Sequence, residues 1–177
     1  MEYNEIMNLR KSIRKYQNKP VDEALVRQVI EAAILAPSWK NSQVTRYYVA
    51  QTAEMREKVN ACLAPFNQNN VINAPVLIVS TIVLNRSGFD KDGTQTNELG
   101  NGWGYYDCGL HNMNLINKAA ELGLGTLIMG IRDAQALKEV LSIPETESVV
   151  AVISVGYPDF DPDRPRRKAV DDIAKFY

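Results

Sequence analysis

The spacing of hydrophobic positions along the chain changes period several times. Leu25, Val26, Val29, Ile30, Ala33 and Ile34 recur at three- and four-residue intervals, the stripe of a helix buried on one face. Asp22 is placed to cap that helix, and Pro37 limits how far it can run. A shorter helix spans Tyr3 to about Leu9, and another starts at a Thr52 cap and runs to about Leu63, with Pro65 ending it. Tyr47–Ala50 reads as a short strand. Val76–Val83 is continuously apolar and β-branched, the pattern of a central strand covered on both faces. Residues 85–104 show no apolar period and form a long loop that is functional or mobile. A long core helix then covers about Tyr105 to Leu122, with Gly123 as its stop. Thr126–Met129 is a short apolar run, Asp133 caps a helix ending near Leu141, and Val149–Val155 is a second buried strand broken by Gly156-Tyr157-Pro158. Helices interspersed with about four strands argue for one domain built on a sheet flanked by helices, with strand direction left open.

Composition narrows the function without naming it. The 177 residues carry 45% hydrophobic and 23% charged side chains and a net charge of −1, so no general basic field draws the chain to nucleic acid or to an anionic membrane. The N-terminal residues lack a basic-then-apolar layout and no apolar run is long enough to span a bilayer, so a cytoplasmic protein is expected. Cys62 and Cys108 have no neighbour at metal-ligand or redox spacing and read as core residues. With His111 the only histidine and no acidic or thiol cluster, no metal site is expected. Gly-x-Ser-x-Gly is absent, and His111 lies inside the long helix, where it reads as a packed side chain.

Three segments stand out chemically. Arg10, Lys11, Ser12 and Arg14 place three cations and a hydroxyl within five residues, which is either a solvated basic face or a phosphate site. Arg164, Arg166, Arg167 and Lys168 form a second basic group on a proline-spaced tail, and two such groups in a nearly neutral chain favour one shared anion site. Ala36-Pro37-Ser38-Trp39-Lys40-Asn41-Ser42-Gln43 concentrates amides, hydroxyls and an indole after a buried helix, suited to a helix-exit turn or to reading a polar ring edge. Gly123-Leu124-Gly125 through Gly130 fails as a dinucleotide fingerprint, because the glycine spacing is wrong and a helix precedes it.

Taken in order, these segments resemble the nitroreductase family over essentially the whole chain. The resemblance implies an α+β fold, a three-layer α-β-α sandwich with a mostly antiparallel central sheet, assembled as a homodimer with FMN in the seam between subunits. It assigns Arg10, Lys11, Ser12 and Arg14 to the FMN phosphate and ribityl chain, with Arg166 or Arg167 joining them. It assigns Pro37, Ser38, Trp39, Asn41 and Gln43 to a loop that covers the isoalloxazine ring of the other subunit. Asn67 and Asn70 fall where the family contacts the ring's pyrimidine edge, and Leu127, Ile128, Met129 and Gly130 where its backbone faces the ring. The implied activity is hydride transfer from NAD(P)H to flavin and then to a small acceptor such as a nitroaromatic, quinone or enone, with no catalytic side chain. The alternatives are a non-catalytic flavin sensor and a flavin-destroying or dehalogenating enzyme. Val44-Thr45 departs from the Pro-Trp that often follows the loop glutamine.

Overall fold

Strand β2 (Val76–Val83) divides its side chains between two cores. Val76 and Ile78 pack with Val26, Val29, Leu115 and Ile116, whereas Leu77 and Val79 pack with Val59, Leu127, Met129 and Leu137. A period of two with both faces covered is why this segment is apolar without interruption. β4 (Glu147–Gly156) does the same, sending Ile153 and Val155 to the first core and Val149 and Val152 to the second. The computed structural model describes residues 1–177.

β1 (Thr45–Ala50) and β3 (Gly125–Met129) complete a four-stranded sheet of order β1-β2-β4-β3, antiparallel throughout. Helices α2 (Glu23–Ile34) and α5 (Gly102–Glu121) cover one face; α3 (Ala53–Ala61) and α6 (Ala134–Leu141) cover the other. Helix α1 (Tyr3–Leu9) lies against α5. The expected caps are made: Asp22 accepts from Ala24 N at 2.9 Å, Thr52 from Met55 N at 3.3 Å and Asp133 from Ala136 N at 3.0 Å. At the end of α5, Gly123 adopts φ +75°, and Leu124 N donates to Ala119 O at 2.8 Å, the Schellman closure that only a residue free of Cβ makes without strain. Three helix–sheet–helix layers around an antiparallel sheet are the expected sandwich.

The structure departs from the sequence reading at element ends. Helix α3 ends at Ala61, short of the expected end near Leu63, and Pro65 opens a further helix, α4 (Pro65–Asn70), as its first residue. Its polar Phe66-Asn67-Gln68-Asn69-Asn70 carries no apolar period to reveal it. Helix α5 begins at Gly102, inside the expected loop, because two glycines there hide its start. Gly104 packs closely under β2: a Cβ would lie 2.9 Å from the terminal Cδ1 of Ile82, which would have to shift. β4 begins at Glu147, whose buried carboxylate accepts from the Thr81 hydroxyl on the adjacent strand β2 and the Tyr48 hydroxyl on β1 beyond it.

Sheet register fixes where the candidate segments sit. Thr45 pairs with Ile82, which pairs with Ser148; Gly125 pairs with Gly156. The start of β1 and the start of β3 are therefore diagonally opposite corners of the sheet, separated by three strand spacings and eight residues along β4, about 30 Å at ordinary sheet dimensions.

Candidate functional site

At the β3 corner the two basic groups meet. Residues 12–17 run beside β3 and the segment after β4: Ile13 N donates to Thr126 O and Gln17 N to Tyr157 O, both at 2.9 Å. Gly125 permits this approach, since a Cβ there would stand 2.5 Å from Ile13 Cγ1. The proline-spaced tail folds back over the same segment. Lys11 Nζ reaches Asp161 at 2.6 Å, and the Arg164 guanidinium donates to Asn8 Oδ1 at 2.9 Å and to Met7 O at the end of α1. The result is a small cleft of about 90 Å³ lined by nine residues, five of them cations: Arg10, Lys11, Arg14, Arg164 and Arg167, with Ser12 beside them and Asp163 as the one acid. Burial, and then Arg164 and Arg167, push the Arg10 pKa down. Like charges held this close favour an anion between them, and five guanidinium and ammonium donors with a hydroxyl are the donor set a phosphate monoester takes.

Arg166, one of the two alternatives for the tail arginine, does not line this cleft; Arg167 and Arg164 do. Proline-rich extended chain repeats every three residues, which sets 164 and 167 on one side and turns 166 away.

Along β3 from the cleft, Leu127 and Met129 point into the core beneath the sheet, so only their backbone is available to a ligand. Ile128 and Gly130 are exposed, and a Cβ added at Gly130 would meet nothing within 4 Å. No neighbouring atom of this chain therefore demands a glycine at that position. Asn67, 6% exposed on α4, donates from Nδ2 to Ile131 O at 3.3 Å and so lies against the turn after Gly130. Asn70 ends α4 half-buried. The cleft, the β3 terminus and Asn67 thus form one continuous strip.

The loop 36–43 lies at the other corner, before β1. Lys40, Asn41 and Gln43 all have positive φ, at 45°, 54° and 49°. Ser38 Oγ accepts from Gln43 N at 2.9 Å, and Gln43 Nε2 donates to Asn41 Oδ1 at 3.2 Å. Trp39 N is bound by both carboxylate oxygens of Asp107 at 3.1 Å, and its indole packs against Trp103 with centroids 4.6 Å apart and the rings tilted at 45°. Pro37, Asn41 and Gln43 are exposed.

A nitroreductase family model matches residues 8–69 and 62–157. The chain belongs to the nitroreductase family. A Methanothermobacter thermautotrophicus protein carrying the provisional name NADH dehydrogenase/NAD(P)H nitroreductase is 31% identical over 176 residues, covering 93% of this chain and 85% of its own. NADPH-flavin oxidoreductase of Vibrio harveyi is 30% identical, covering 90% and 67%. The fold is that of a provisionally named nitroreductase in complex with FMN from Exiguobacterium sibiricum 255-15, at TM-score 0.89 and 22% identity over 100% of this chain and 98% of that one.

Within this family fold, the sequence reading missed three participants. Arg164 was legible as part of a basic group but not as one of the two tail cations that reach Arg10. Asp107 and Ser87, which hold the 36–43 loop, carry no motif. The available signal for Asp107 was its place on the buried stripe of α5 with Cys108, His111 and Leu115, where a carboxylate must have a partner.

Proposed function

We propose that this chain is an FMN-dependent NAD(P)H oxidoreductase that works as a homodimer. The observation that carries this reading is the convergence of Arg10, Ser12, Arg14, Arg164 and Arg167 in one phosphate-sized cleft at the start of β3, with the open, exposed Gly130 just past its other end. The family membership and relatives whose names state FMN, flavin or NAD(P)H support it.

In this reading Arg10, Arg14 and Arg167 hold the phosphate, Ser12 the ribityl chain, and Gly130 and Asn67 lie along the ring. Bound there, the flavin supplies hydride acceptance from NAD(P)H and onward reduction of a nitroaromatic, quinone or enone, the two substrates using one site in turn. The chain's own part is to bind, orient and shield; no side chain is needed as acid or base. Arg164, tied to the end of α1, fixes the tail against the body and so keeps Arg167 facing Arg10. The 36–43 loop of the same subunit stands about 30 Å from the start of β3, further than one FMN reaches, so the loop over each ring comes from the second subunit. Unpartnered apolar residues at the end of α2 (Ile34, Leu35) and on α5 (Tyr106, Met113) fit that assembly.

The test is spectroscopic. Protein supplemented with FMN and desalted should retain flavin absorption that bleaches under anaerobic NADH or NADPH, with parallel-line kinetics when nucleotide and acceptor are varied. Loss of all flavin on desalting contradicts the reading, and retained flavin that neither nucleotide bleaches indicates a sensor instead.

A further inference from the structure

The 36–43 loop holds two side chains in a backbone conformation they do not favour. Lys40 and Gln43 lie in the left-handed region, which costs a residue with a Cβ free energy, whereas Asn41 tolerates it. Such a loop persists only if its surroundings over-determine it. The restraint comes from one carboxylate. Asp107 is 2% exposed on α5 and accepts the Trp39 N–H with both oxygens at 3.1 Å. Its Oδ2 also accepts the Ser87 hydroxyl, and Ser87 Oγ lies 2.5 Å from Ser42 Oγ. Ser87 has one proton and gives it to Asp107, so Ser42 must be the donor in the second contact. Asp107 therefore grips the loop directly at Trp39 and, through Ser87, at Ser42, on either side of Lys40 and Asn41.

No Lys or Arg is paired with this carboxylate. Lys40, the cation closest in sequence to the grip, reaches outward to Asp90 at 2.9 Å. The titratable group one helical turn along is His111, buried with neither ring nitrogen hydrogen-bonded. A buried carboxylate with no cationic partner is costly, and its hydrogen bonds all go to the loop and to the serine that holds it.

We propose that Asp107 is a positioning residue for the cofactor: it locks the 36–43 loop, and with it Asn41 and Gln43, in the shape that meets the flavin ring of the other subunit. This rests on the flavin reading above. The same residue ties the loop to Ser87 and hence to the 85–104 segment, to which Lys40 is also joined through Asp90.

The experiment compares the full-length wild type with Asp107→Asn, Ser87→Ala and a control, Leu137→Ala, which weakens the core on α6 away from the loop. Asparagine keeps the shape at 107 and can still accept from Trp39 N and the Ser87 hydroxyl at one oxygen, but it turns an NH2 toward the Trp39 N–H in place of Oδ1 and removes the charge from the bonds that remain. Without flavin, trypsin should cut after Lys40 about tenfold faster in Asp107→Asn and measurably faster in Ser87→Ala, the loss of one charge-assisted hydrogen bond read through the population of open loop. Leu137→Ala should leave early cleavage at Lys40 unchanged. With FMN, both loop variants should raise Kd about tenfold and alter the visible circular dichroism of the bound ring, effects the control lacks even where its Tm falls further. Unchanged cleavage at Lys40 overturns the proposal whatever the flavin does. Faster cleavage with unchanged Kd and dichroism overturns the positioning role and leaves a purely structural anchor. If Asp107→Asn does not fold, Ser87→Ala decides alone. Flavin retention by the wild type in the same samples separately tests the reading on which the proposal rests.

Discussion

At the scale of single residues, charge and burial assign different weights to side chains that look alike in the sequence. Arg166 and Arg167 are adjacent and chemically identical, yet only Arg167 faces Arg10 across the anion cleft. Changing Arg10 and Arg167 together to alanine should weaken FMN binding by about 3–6 kcal/mol, at 1.5–3 per charged hydrogen bond, while Arg166→Ala should change it by less than about 0.5 kcal/mol. Fluorescence titration of FMN into each variant decides this, and equal losses from Arg166→Ala would reverse the tail assignment. His111 makes a second residue-level prediction. It is 4% exposed and lacks hydrogen-bond partners, and burial pushes its pKa below the ordinary value, opposed in part by the Asp107 carboxylate. The unfolded chain therefore takes up a proton that the folded chain resists. The stability is full above the unfolded value of about 6.5 and is lost as pH falls through it toward the lower folded value, at about 1.4 kcal/mol per unit of depression. Urea unfolding between about pH 7.5 and 5.5 should show this decline in the wild type and a flatter profile in His111→Leu; parallel profiles would contradict it.

At the scale of elements, the glycine that opens β3 and the one that follows its last residue separate packing from ligand contact. Gly125 is needed by the fold, because a Cβ would drive into Ile13 and Pro158 and lift the 10–14 segment off β3. Gly130 has open space at its Cβ position and no positive φ, so the fold makes no demand for it. Gly125→Ala should therefore lower Tm and FMN affinity together, whereas Gly130→Ala should leave the flavin-free Tm within about 2 °C and still change FMN affinity or the absorption of the bound ring. A Gly130→Ala protein with unaltered flavin binding and spectrum would remove the β3 terminus from the site. The same contrast explains what the sequence made legible. The buried strands and α2 announced themselves, since Val76–Val83 is covered on both faces and α2 carries a clean stripe. Helix α4 and the first turn of α5 did not, because polar amides and glycines carry no period. The basic groups at 10–14 and 164–168 were legible as favouring one shared anion site, but which tail cations face Arg10 depends on a chain reversal that local pattern does not encode. Asp107 was hidden for a related reason: its partners, Trp39 and Ser87, are distant in sequence and bind through a backbone N–H and a single hydroxyl.

At the scale of the whole molecule, what matters is the geometry between two corners of the sheet. The anion cleft and the 36–43 loop are built at opposite corners of one sheet, about 30 Å apart. In the proposed dimer each is half of a site, and a two-fold pair of subunits would bring the halves of different chains together. The apolar residues left bare on α2 and α5, and in the tail at Val170, Ile173 and Phe176, are where burial in such a pair is available. The most direct test is a hybrid dimer made from differently tagged chains. One chain carries Arg10→Ala with Arg167→Ala and an intact loop; the other carries Asn41→Ala with Gln43→Ala and an intact cleft. If each site draws its cleft from one subunit and its loop from the other, the purified hybrid contains one fully intact site and should bind one FMN per dimer with wild-type affinity, while both parent homodimers bind weakly. A hybrid that binds FMN no better than its parents would mean that cleft and loop serve the cofactor within one chain, and the two-subunit site would be wrong.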